Sequence, residues 1–141
     1  MPWELLEHQA DVGLQSTGAT LEEALADGVR GLLSLMVDPS TVDRTQTFQV
    51  TATGNDPGAL YVDLLNVVLA TKDIHNVFFH DITIDTLEEE HGEWRVTARL
   101  SGEIIDLSRH AVDSDVKAAT YGGLKVSHTE DGWLLRCLLD L

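Results

Sequence analysis

Apolar positions along the chain switch repeatedly between a spacing of two and a spacing of three to four, and the switches mark out the elements. Trp3 to Leu6 and Val12 to Ser16 are short runs that read as strands, separated by the polar stretch His8-Gln9-Ala10-Asp11. After the break at Thr17-Gly18-Ala19, Thr20 stands as a helix N-cap, with Glu23 three residues on to complete a capping box. Leu21, Leu25, Val29, Leu32 and Met36 then recur at helical spacing, and Ala24, Gly28 and Leu33 widen the stripe into a face broad enough to pack on a sheet. This helix is expected to stop at Asp38-Pro39, because a proline disfavours helical geometry at the residue before it.

Thr45 to Thr53 alternates, with Phe48, Val50 and Ala52 on one side, and reads as a strand. Asp56-Pro57 pairs an N-cap with a proline at the first helical position and opens a second amphipathic helix through Leu60, Tyr61, Leu64, Leu65, Val67 and Val68, ending near Lys72 to Asn76. Val77 to Thr86 places Phe78, His80, Ile82 and Ile84 on one predicted face. Trp94 to Leu100 completes a hairpin across an acidic loop, Glu88 to Glu93, that turns at His91-Gly92. Gly102 to Asp113 is irregular. Val116 to Thr120 and Leu124 to His128 read as two short strands about Gly122-Gly123. Glu130-Asp131-Gly132 turns the chain into a last strand, Trp133 to Leu141, which is apolar on both sides and is therefore expected to be central.

These elements, with no repeat and no linker, predict a single α+β domain over residues 1–141, with mixed or antiparallel sheets and two amphipathic helices packed on them. A hydrophobic content of 43% argues against disorder, and no apolar run approaches the roughly 18–20 residues a bilayer crossing requires. The start, Met1-Pro2-Trp3-Glu4, lacks the basic and apolar regions of a signal peptide, so the expectation is a soluble, cytoplasmic chain with no membrane partner. A single cysteine, Cys137, excludes an internal disulfide and a multi-thiolate metal site. It reads as a small core residue. Nine Lys and Arg against 24 Asp and Glu leave a net charge of -15, which repels phosphate backbones and makes stable direct binding of nucleic acid a poor reading. A basic protein partner or a bound cation suits it better.

No phosphate-binding glycine loop, nucleophile elbow, HExxH or CxxC is present. The titratable groups that gather are His8, Asp11, His110, Asp113, Asp115 and Lys117, with Asp140 joining them if the last strand pairs beside the first. Carboxylate and main-chain oxygens are hard donors that suit Mg²⁺, Ca²⁺ or Mn²⁺. Each residue also has a plain structural role open to it. Asp11 and Asp38 suit turns, His110 beside Arg109 suits a loop cap, and Lys117 suits a strand edge.

The ordered set His8-Gln9-Ala10-Asp11-Val12-Gly13, Thr20-Leu21-Glu22-Glu23-Ala24, Leu32 to Asp38, Arg109-His110, Val116-Lys117-Ala118-Ala119-Thr120-Tyr121 and Leu138-Leu139-Asp140-Leu141 resembles the archease family over nearly the whole length. The resemblance implies a non-catalytic cofactor of an RtcB-type RNA ligase that promotes the ligase's guanylylation and multiple turnover in tRNA splicing and RNA repair. It also implies a divalent cation held by Asp11, Asp140 and a main-chain or terminal oxygen of Leu141. His8, Asp38, His110 and Lys117 are carried as supporting or partner-contact residues. The second helix lacks a glutamate that the family often has near Asn66-Val67, and Gly122 stands where a histidine is common. Two other classes compete: a chaperone-like binding module without metal, and a metal-dependent phosphohydrolase using His8, Asp11 and His110.

Overall fold

The computed structural model describes residues 2–7 and 11–141. Strands β1 (Trp3–Glu7) and β2 (Asp11–Gly18) lead into helix α1 (Leu21–Met36), followed by β3 (Gln46–Gly54) and helix α2 (Pro57–His75). The second half is all strand: β4 (Val77–Glu90), β5 (Glu93–Ile104), β6 (Ala118–Thr129) and β7 (Gly132–Asp140). They form two antiparallel sheets, one of order β1-β2-β7-β6 and one of order β3-β5-β4. The fold class is therefore α+β, and the last strand is central, as its two apolar sides predict.

Both helices lie between the sheets. Helix α1 packs on β1, β2 and β7 and also reaches β4, while α2 packs on β3, β4 and β5 and on β6 and β7. This position buries α2 on more of its circumference than an amphipathic stripe needs: Leu60, Tyr61, Val62, Leu64, Leu65, Val68 and Leu69 are all inside. The helix ends are stopped by local chemistry. The Thr20 hydroxyl accepts the Glu23 N–H at 3.2 Å, and the Glu23 carboxylate accepts the Ala19 N–H at 3.0 Å. Asp56 accepts the Ala59 N–H at 2.8 Å, and α2 ends on Asn76 in the left-handed region at φ 54°. Helix α1 stops at Met36, with Val37 already extended, two residues short of the proline.

Three differences from the periodicity have physical causes. Strand β4 continues through the acidic run to Glu90, because Arg95 lies across from Glu88 and the turn needs only His91 and Gly92, both at positive φ. A bulge between Phe79 and Asp81 shifts the parity of β4. Phe78 therefore leaves the face of Ile82 and lies opposite Glu103, with its ring edge-on to His110 at 5.5 Å between centroids. The two short strands about Gly122-Gly123 are one strand, β6, whose pairing with β7 slips between Thr120 and Lys125. Val116 and Lys117 precede it rather than belonging to it.

Candidate functional site

The register of β2 against β7 places Asp11 directly across from Asp140, with Val12 across from Leu139 and Gly13 from Leu138. The alternation of the two strands sets which way these residues face. Leu14 and Ser16 of β2, and Leu135, Cys137 and Leu139 of β7, are buried under the helices. Asp11 and Asp140 belong to the opposite parity, so both carboxylates stand on the outer face at the sheet end. Directly opposed residues in an antiparallel pair have Cβ atoms about 4.5–5.5 Å apart. Two like charges at that spacing repel, and among the described residues no Lys, Arg or His forms an ion pair with either.

Neighbouring main chain frames this pair. Ala118 is the partner of Asp140 on its other side, and the Lys117 N–H donates to the Asp140 carbonyl at 2.8 Å. This leaves Leu141, partly exposed beyond the strand, as the next main-chain oxygen. The Lys117 side chain is exposed beside the pair. Among the described residues no group of three or more His, Cys, Asp and Glu side chains is arranged to hold a metal. The two carboxylates thus offer part of a hard-oxygen shell, which main-chain oxygen and water would have to complete. His8 lies outside the described residues.

Asp38 stands on the same end of the molecule, because its N–H donates to Ala111 while Asp113 and Ser114 donate to Met36 and Leu35. Its carboxylate is turned to local work. It accepts the Ser40 hydroxyl at 2.8 Å and the Ser40 N–H at 3.0 Å, and these bonds hold its pKa below the usual carboxylate value. The turn reading of Asp38 is the one the structure displays.

His110 is placed by a buried network that sequence reading passed over. Its Nδ1 accepts the Asp106 N–H at 2.9 Å, so Nε2 carries the proton and donates to Glu103 at 2.6 Å. The same Glu103 oxygen accepts from Arg109 at 2.7 Å and from the Asp43 N–H at 3.0 Å. The Asp43 amide, then His110 and Arg109, hold the Glu103 pKa down to about 2, against the opposing pull of burial. Glu103 is thus the hub that ties the 105–117 segment to β5. Its sequence signal was slight: a lone acid in the run Gly102-Glu103-Ile104-Ile105. Asn66 is a second unforeseen anchor. Its amide donates to the Ala119 carbonyl at 2.9 Å and accepts the Ala119 N–H at 2.8 Å, standing in for a strand along the free edge of β6. Cys137 is fully buried and burial pushes its thiol up to about 12, which marks it as an inert core residue.

Two sheets enclosing two helices, with a carboxylate pair at one sheet end, define a small α+β protein whose exposed chemistry is acidic. A family model described as the Archease protein family (MTH1598/TM1083) matches residues 3–141. The chain belongs to that family. A protein archease from Thermococcus gammatolerans is 33% identical over 140 residues, covering 99% of this chain and 98% of the relative. The solution structure of Methanobacterium thermoautotrophicum protein 1598 superposes with a TM-score of 0.84 at 25% identity, covering 99% of each chain. The crystal structure of an archease, possible chaperone, from Thermotoga maritima superposes at 0.58 with 20% identity, covering 96% of this chain and 94% of the other, and shows the shared fold.

Proposed function

We propose that this chain is a non-catalytic protein cofactor that activates an RtcB-type RNA ligase, promoting its guanylylation and multiple turnover with a divalent cation held at Asp11, Asp140 and Leu141. The supporting observation is the register that sets Asp11 opposite Asp140 on one outer face, with no cationic side chain among the described residues paired to either. Hard carboxylate oxygens suit Ca²⁺, Mg²⁺ or Mn²⁺, and a cation between them would remove the repulsion of the pair. When bound, such an ion supplies Lewis-acid polarisation of phosphate oxygens. The chain's own residues do the rest. The β2–β7 ladder holds the two carboxylates at fixed spacing. The Lys117 amide pins the strand end, and the acidic surface steers the protein toward the basic, phosphate-handling mouth of the ligase.

The competing phosphohydrolase reading needs an imidazole base. Both nitrogens of His110 are already engaged, one by the Asp106 amide and one by Glu103, which favours the non-catalytic reading. A chaperone-like module without metal is the second reading, favoured by the apolar side chains exposed at the same end of the fold. Ligase turnover with folded Asp11→Ala and Asp140→Ala proteins tests the proposal: activation is expected to be lost in both. Undiminished activation would overturn it, and activation unaffected by a chelator would favour the chaperone-like module.

A further inference from the structure

The end of the molecule that carries Asp11 and Asp140 is also where most of the exposed apolar surface gathers. The Ile105 N–H donates to the Asn76 carbonyl, which joins the end of α2 to the end of β5. The chain then crosses the end of α1, where Asp113 and Ser114 donate to Met36 and Leu35, and arrives at Asp140 through the Lys117 amide. Along this path stand Ile74, Ile104, Leu107, Val112 and Leu141, five of the eight large apolar side chains that are exposed among the described residues. Ile74 and Leu107 are 76% and 75% exposed. Such clustering is uncommon on a surface with no binding role. It is also not a loose loop: the Glu103–His110–Arg109 network and the Asp106 amide hold Leu107 inside a tied turn. Exposed leucine on a preorganised turn costs little conformational entropy on binding.

The charges around it are mainly acidic, with Lys117 an exposed cation beside Asp140. Asp11, Asp38, Asp106, Asp113, Asp115 and Asp140 border the apolar residues. The nearby cation Arg109 is engaged by Glu103, Asp43 and Asp106. A second copy of a chain with net charge -15 would bring like charge against like, and a nucleic acid would do the same.

We infer that this end face, with Ile104 and Leu107 as its apolar anchors, is the docking surface for a protein partner whose own surface is an apolar patch ringed by Lys and Arg. The inference rests on the activator reading and extends it from the carboxylate pair to the surface that seats it. Apolar anchors supply the affinity and the acidic border sets orientation and rate of encounter. Ile104 and Leu107 are both exposed, so replacing them with serine leaves the core intact.

The test is calorimetric titration of an RtcB-type RNA ligase with the wild type and with an Ile104→Ser/Leu107→Ser double variant, with thermal unfolding and Mn²⁺ titration as controls. The double variant is expected to bind the ligase about tenfold or more weakly, with an unchanged melting temperature and unchanged Mn²⁺ binding. Wild-type binding is expected to weaken with added salt, and single-stranded RNA offered alone is expected not to bind. Equal ligase binding by wild type and double variant would overturn the inference while leaving the activator reading in place. A wild type that binds no ligase would remove the activator reading, and this inference with it. A dimer in sedimentation that the double substitution dissolves would overturn it by assigning the face to a second copy, and tight RNA binding would overturn it by assigning the face to nucleic acid.

Discussion

Asp11, the first residue of β2, lies directly across the ladder from Asp140, the last residue of β7, although 129 positions separate them in the chain. The pair predicts opposite responses with and without cation. In chelator, Asp140→Asn removes one of two like charges and is expected to leave the melting temperature unchanged or raised. With saturating Ca²⁺ or Mn²⁺ the wild type is expected to gain about 2.7 kcal/mol at a hundredfold excess over Kd, and the variant to gain little. A variant stabilised by cation as strongly as the wild type would remove Asp140 from the ligand set. Thermal unfolding with and without EDTA reads both.

Glu103 sets an acid limit. Its folded pKa is depressed to about 2 from 4.5, so the stability it contributes is fully present above about pH 4.5 and is lost as pH falls toward 2. Glu103→Gln is expected to flatten the pH dependence of the urea midpoint between pH 5 and pH 2 relative to wild type. The Ser40 and Ser108 bonds that chiefly depress Asp38 and Asp106 do not involve Glu103, so the difference between the two proteins reports mainly on Glu103. Parallel curves would show that the Asp43 amide, His110 and Arg109 together do not hold the proton off Glu103.

Gly28 is required by close approach. A Cβ there would lie 2.5 Å from Tyr61 Cε1 and 2.9 Å from its hydroxyl, and the Tyr61 ring is fully buried between α1 and its neighbours. Overpacking of this kind costs about 1–3 kcal/mol, against which alanine returns up to about 1 kcal/mol of helix propensity. Gly28→Ala is expected to lower the denaturant midpoint, and Gly28→Ala combined with Tyr61→Leu, which removes the ring that the Cβ meets, is expected to cost less than the sum of the two single changes.

Asn66 closes the edge of β6. Asn66→Ala leaves the Ala119 N–H and C=O without their partners, and Ala119 is buried, so a loss of about 2–4 kcal/mol is expected for the two groups together. Because Ala118 pairs with Asp140, faster amide exchange at Ala118 and Ala119 is expected to accompany it. Native-state hydrogen exchange resolves this from a uniform loss of stability.

Much of this fold is legible in local pattern. The capping box at Thr20, the Asp56-Pro57 helix start, the His91-Gly92 turn and the two-sided apolar run of β7 each act over a few residues. The misread places are those where a distant contact overrode the pattern. The bulge at His80 is the clearest. A strand of perfect alternation would put Phe78 with Ile82, but a bulge moves it against His110. The Glu103 hub escaped notice because its partners, Asp43 and His110, come from separate segments.

Sequence alone determined the helices, most strands, the α+β class and the family, because capping, alternation and motif order are local properties of residue type. It also singled out Asp11 and Asp140 as candidates. Only the tertiary structure decided that they are neighbours, that Lys117 sits just outside a strand and that both nitrogens of His110 are taken. The physical reason is that strand order and register are set by burial across the whole core. Leu14 and Cys137 face each other under α1 only when β2 and β7 pair in the register that also sets Asp11 against Asp140.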